Sequence, residues 1–202
     1  MRRALHAEWT KVRTVPGTIW LLTAAIGLTV ALSAASAAAV KCPAVGCNQD
    51  TIKLSLTGIA LGQALIVAVA ALAIGGEYST GLIRISLAAT PQRESVLAAK
   101  AAIVGGLVLA AGTIAVFGSL LAGRLVLPGN GFTPAHGHPL PTVLSAPVLR
   151  AAVGSVLYLT LIAVLSLGVA TAVRDTATAI GVVLGLLYFF PIAAQVVTDP
   201  QW

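Results

Sequence analysis

Charge is what this chain has least of. Only 9% of its 202 residues are Asp, Glu, Lys or Arg, where a soluble domain carries roughly 25%. Hydrophobic residues make up 58%, and the mean hydropathy is +0.98. A soluble fold this short cannot hide that much apolar surface, which excludes a soluble enzyme. A disordered chain needs low hydrophobicity and high charge, so disorder is excluded too. The net charge of +6 would suggest nucleic acid if read without context. Here the charges sit in short stretches between long uncharged runs, so they set topology, and no nucleic-acid partner is expected.

Those runs define the architecture. Between Arg13 and Lys41 lie 27 uncharged residues, and 23 lie in each of four further gaps: Lys53–Glu77, Lys100–Arg124, Arg150–Arg174 and Asp175–Asp199. A helix of that length is about 34 Å long, enough to cross a hydrocarbon core of about 30 Å. The fold class expected is all-α: a polytopic helical membrane protein forming one transmembrane domain over residues 1–202. Its five spans are expected at about 17–40, 54–76, 97–123, 148–173 and 176–197. The gap from Arg124 to Arg150 is also uncharged, but Pro128, Pro134, Pro139, Pro141 and Pro147 break it. Backbone broken so often cannot satisfy its own hydrogen bonds in lipid. Residues 124–147 therefore read as an outer loop, as do residues 41–53.

Orientation follows from the basic residues. With the N-terminus in the cytoplasm, eight Lys and Arg fall inside and four outside, which is the favoured arrangement. A cleaved signal peptide would share the basic start and the Ala/Ser-rich stretch at 34–39. The long amphipathic start and the four spans that follow favour a retained anchor. Residues 3–14 read as an interfacial helix, with Leu5, Trp9 and Val12 on one face and Arg3, Lys11 and Arg13 off it; a merely charged topogenic tail is the alternative. Thr90–Pro91 and Ser145–Pro147 look like helix starts. Arg174 and Asp175 form a turn so short that spans four and five must be antiparallel neighbours.

The spans lack ionisable groups in their central parts, which pumps and proton-coupled transporters usually need. Neither a zinc-protease, a nucleophile-elbow nor a phosphate-loop motif occurs. No catalytic residue, no metal site and no cofactor of this chain's own is therefore expected. Gln63 is the most polar residue well inside a span. It reads as an interhelical hydrogen bond or as a contact in a translocation path. Gly58 and Gly62 beside it, and Gly181 and Gly185 in span five, have the spacing for close helix contact. Cys42 and Cys47 lie outside, where an oxidising environment favours a small disulfide loop over two free thiols. His136 and His138 read as solvated loop residues.

The most informative stretch is Gly75–Lys100, GGEYSTGLIRISLAATPQRESVLAAK. Glu77 stands at the cytoplasmic mouth of span two and Gly81 permits a turn. Leu82, Ile83, Ile85 and Leu87 then make a short apolar helix outside the bilayer, flanked by Arg84 and Arg93. An apolar helix in the cytoplasm invites a partner groove; packing on the protein's own helix ends is the plain alternative.

Three stretches together resemble the permeases of ABC type-2 transporters, in particular bacterial members from Ala/Val-rich proteomes: Glu8–Thr14 (EWTKVRT), Gly76–Arg84 (GEYSTGLIR) and Leu87–Arg93 (LAATPQR). The likeness extends to Leu54–Gln63 and covers essentially the whole chain; its motifs mark the family, not the substrate. The resemblance implies a plasma-membrane subunit of an ATP-driven exporter. Residues 3–14 match the family's elbow helix, and residues 77–95 match the coupling segment that docks on a separate ATPase subunit. Glu77, Tyr78, Gly81, Leu82, Ile83, Arg84, Leu87 and Arg93 are the expected coupling residues. ATP and Mg²⁺ would bind that partner, and a second permease copy would complete the membrane part. The family usually has six spans, and this sequence carries five before Trp202. The alternative class is a non-transporting membrane scaffold or assembly factor; a passive channel would need a more polar stripe. The cargo stays open among drug-like molecules, lipids, peptides and ions, with apolar spans favouring an amphipathic one.

Overall fold

The computed structural model of the chain describes His6, Trp9, Thr10 and residues 16–42, 50–79, 93–132 and 145–198. Among these residues the fold is all-helical, with no strand. Helix α1 spans Pro16–Ala39, α2 Thr51–Ser55, α3 Ile59–Ser79, α4 Arg93–Val126, α5 Ala146–Val173 and α6 Thr176–Thr198, with a 3₁₀ turn at Leu127–Asn130. Four stretches are long and apolar enough to cross a membrane: Gly17–Ala39, Thr51–Gly76, Val96–Asn130 and Ala146–Val173. The fifth expected span is α6, a helix of 23 residues with Pro191 inside it, apolar over Thr176–Pro191. The chain is thus a multi-pass membrane protein by helix length and composition. At the N-terminal end, Trp9 is exposed, and the Thr10 hydroxyl bonds the His6 carbonyl one turn back at 2.8 Å. Leu5 and Val12 lie outside the described residues.

Helices α1, α3, α5 and α4 pack in a ring, each against the next, and α6 lies over α3 and α5. The central helix is α3: 61% of its apolar window is buried inside the chain, against 22–39% for the other three. Lipid is as apolar as leucine, so helices here gain by close packing rather than by escaping water. The buried positions of α3 are accordingly small: Ala70 and Ala71 share a core cluster with Val108 and Val116 of α4 and Ala163 of α5, and Val67 shares another with Ile162 of α5 and Val183 of α6.

The second span differs from its expected form. It is a broken helix rather than a continuous 54–76 segment. Asp50 caps α2, its Oδ1 accepting from Ile52 N at 2.9 Å, and residues Leu56–Gly58 form a turn before α3 begins. A continuous helix would bond Gly58 N–H to the Leu54 carbonyl. Instead Gly58 N–H donates to Ser33 Oγ at 3.2 Å, and Ser36 Oγ stands 3.2 Å from the Leu54 carbonyl. Two serines of α1 thus satisfy the backbone groups that the break releases, as broken membrane helices require.

Helix ends otherwise follow local chemistry. The third span begins at Arg93 and runs 34 residues, about 51 Å, so its last turns and the 3₁₀ turn replace the start of the expected outer loop. There Cys42 N donates to the Asn130 carbonyl at 2.8 Å, and Asn130 Nδ2 reaches the Ala37 carbonyl at 3.0 Å. Gly131 makes this closure feasible: it has φ 91°, and a Cβ there would lie 2.2 Å from the Cys42 carbonyl oxygen. Ser145 precedes α5 with proline in its first turn, but the serine side chain makes no capping bond. Arg174 ends α5 in the left-handed region with φ 62°. Asp175 Oδ2 then accepts from Thr178 N at 2.7 Å, capping α6.

Candidate functional site

A groove opens between the second span, α5 and α6, from the α2/α3 break to mid-span. It holds about 660 Å³ and is lined by Leu56, Ile59, Ala60 and Gln63 of the second span, Ala151, Gly154, Ser155 and Tyr158 of α5, and Leu187, Tyr188 and Pro191 of α6. That volume falls in the ordinary range of small-molecule sites, roughly 300–1,000 Å³. No described lining residue is charged.

Three polar side chains shape the groove. Gln63 is 95% buried, since its exposure is 5%. Tyr158 donates its hydroxyl proton to Gln63 Oε1 at 2.7 Å across the α3–α5 boundary. Tyr188 donates to the Ala60 carbonyl from α6. The Gln63 contact is therefore the interhelical bond expected, and the residue also lines the groove. Its amide N–H donors have no partner among the described residues, and neither has Ser155 Oγ. Pro191 has no N–H to offer the Leu187 carbonyl one turn back, which leaves an acceptor beside the same groove. Sequence reasoning missed Tyr158 and Tyr188. The available signal was a tyrosine in an apolar span, whose hydroxyl must find a partner when taken out of water.

Gly58 and Gly62 do provide close contact: a Cβ on Gly58 would stand 2.2 Å from the Thr29 carbonyl oxygen, and one on Gly62 2.1 Å from Thr29 Oγ1. Gly181 and Gly185 do not, for a Cβ on either would meet nothing within 4 Å. Cys42 is disulfide-bonded; the one other cysteine of the chain is Cys47, which lies outside the described residues.

At the opposite end, the root of the expected coupling segment is clasped by the α5–α6 connection. Gly75 sits against Thr176, whose Oγ1 would be 1.7 Å from a Cβ there. Tyr78 Oη meets the Thr171 carbonyl at 3.5 Å, the long limit of a hydrogen bond. The backbone places Glu77 in the last turns of α3 and Arg93 at the start of α4. Gly81, Leu82, Ile83, Arg84 and Leu87 lie outside the described residues. Lys100, read from sequence as a boundary charge, is buried at 2% exposure, with Nζ 3.3 Å from the Ala73 carbonyl. A lysine stem lying along apolar helix and delivering its charge to backbone carbonyls is the usual way to keep such a residue near a membrane boundary.

No protein family, curated protein or solved structure matches the chain.

Proposed function

We propose that this chain is the membrane-spanning subunit of an ABC type-2 transporter in a bacterial plasma membrane, exporting a small or amphipathic molecule. A separate ATPase subunit would dock on residues 77–95 and supply ATP and Mg²⁺ chemistry; a second permease copy would complete the membrane part. The observation that carries the reading is the GEYSTGLIR run emerging from the end of α3, the most buried helix of the bundle. Force applied to that run reaches α3 directly. It reaches α5 and α6 through the contacts of Gly75 with Thr176 and Tyr78 with Thr171. Those three helices line the groove, so a push at one end of the bundle has a mechanical route to a site at the other. A scaffold has no use for such a linkage, nor for free hydrogen-bond donors in a groove.

The test is a mild-detergent purification from native membranes, with mass spectrometry of what accompanies the chain. A stoichiometric ATPase carrying a phosphate loop is expected. Replacing Ile83→Asp together with Leu87→Asp is expected to lose that partner, about tenfold or more in recovery, because burying two carboxylates in an apolar contact costs more than the contact returns. Insertion of the chain should be unchanged. Recovery of an equal amount of ATPase with the double variant would overturn the coupling assignment.

A further inference from the structure

The groove beside the broken second span has more specificity than an apolar slot, and its chemistry narrows what it takes. Gln63 is nine-tenths buried, lines the groove, and spends its carbonyl oxygen on Tyr158. Its N–H donors are left for whatever fills the space. Ser155 Oγ adds a further unpartnered group, and the Leu187 carbonyl, deprived of its helical N–H by Pro191, adds an acceptor. These groups face the groove, and in an apolar surrounding a hydrogen bond to them is stronger than in water.

We infer that the groove binds an uncharged amphiphile whose polar end joins a carbonyl acceptor to a hydroxyl, of the acylglycerol kind. The carbonyl meets the Gln63 amide, the hydroxyl meets the acceptor near Pro191, and the acyl chain lies along Leu56, Ile59 and Leu187. Depth argues against a charged head. No described lining residue carries a charge, and the helix that holds Gln63 has no charged residue from Ile59 to Gly76. A phosphate drawn down to the Gln63 amide would be an unpaired charge in hydrocarbon. The inference names what the proposed transporter would take, but it rests on the groove's residues. Its test contains no ATPase, so its failure is distinct from failure of the transporter reading.

The experiment uses the full chain in phosphatidylcholine nanodiscs with a diacylglycerol bearing a photoactivatable diazirine near the ester end of one acyl chain. Saturable cross-linking is expected on peptides carrying residues 56–63, 151–158 and 187–191, competed by unlabelled diacylglycerol. Gln63→Leu should reduce labelling about fivefold, the scale of one hydrogen bond in a membrane interior. Gly154→Leu is the second variant, since a side chain there meets nothing within 4 Å; it fills the groove without touching the polar pair and should abolish competition. Should the Gln63 variant fail to fold, the Gly154 variant decides. Labelling that spreads evenly to Phe189 and Phe190 and ignores both variants would overturn the proposal. So would phosphatidic acid of the same chain length competing as well as diacylglycerol.

Discussion

Single side chains carry the features that distinguish this molecule from a generic apolar bundle. The bond from Tyr158 to Gln63 joins two residues 95 positions apart, so spacing along the chain gives no hint of it, although each residue by itself signals a need for a partner. Asp175 shows the opposite case, where a local rule is enough. Its carboxylate is held below the ordinary carboxylate range by hydrogen bonds from Thr178, side chain first and then backbone. A depressed folded-state pKa stabilises the fold fully above the unfolded value of about 3.9 and loses that contribution as pH falls through the folded value. Asp175→Ala is therefore expected to melt at a lower temperature than the parent at pH 7. The gap should shrink once the pH passes below the ordinary carboxylate range and close when the parent's own carboxylate is protonated. Melting curves of the detergent-solubilised pair across pH check this, and a gap independent of pH would show that Asp175 acts through something other than its charge.

At the level of elements, the two Gly-xxx-Gly pairs make a controlled comparison. They look alike in sequence, yet Gly58 and Gly62 press α3 and its preceding turn onto α1, whereas Gly181 and Gly185 face outward. Gly58→Ala would set a methyl group against the Thr29 carbonyl, a backbone atom that cannot swing aside; forcing atoms into a filled contact costs about 1–3 kcal/mol. Gly185→Ala meets nothing and removes a glycine from a helix interior, a change worth up to about 1 kcal/mol in the favourable direction. Unfolding the two variants in mixed detergent should move them in opposite directions, and equal effects would show that the α1–α3 contact is looser than described. The same comparison shows how far the fold was legible. Hydropathy gave the all-α class and the long apolar helices, because spacing of charge is a one-dimensional property. The tight α5–α6 turn followed from Arg174 and Asp175 lying between two uncharged runs. The break at Leu56–Gly58 was not legible, because Ser33 and Ser36, which make it tolerable, belong to another helix. The groove is lined by three separate helices beside that break, so only Gln63 announced it. The burial of Lys100 was missed for a related reason: charge counting places a lysine at a boundary but does not say what its stem lies against.

On the scale of the whole molecule, the bundle has two ends with different characters, and their sides of the membrane are open to direct measurement. One end gathers the start of α1, the end of α3, the start of α4 and the α5–α6 turn; the other gathers the end of α1, the short α2, the 3₁₀ turn and the start of α5. Among the described residues the first end carries Arg93, Lys100 and Arg174 and the second Lys41, Lys53, Arg124 and Arg150; in sequence, Arg2, Arg3, Lys11, Arg13 and Arg84 belong to the stretches that adjoin the first end. Because cytoplasmic loops retain the excess of Lys and Arg, the first end is expected inside. The disulfide at Cys42 agrees with an oxidising environment at the second end. Two single-cysteine proteins, built on a background with Cys42→Ser and Cys47→Ser, separate the sides. His136→Cys should react with a membrane-impermeant maleimide in intact cells, and Arg84→Cys only after permeabilisation. The reverse pattern would place residues 77–95 outside, where no ATPase waits, and would remove the coupling proposal while leaving the groove and its ligand chemistry as they stand.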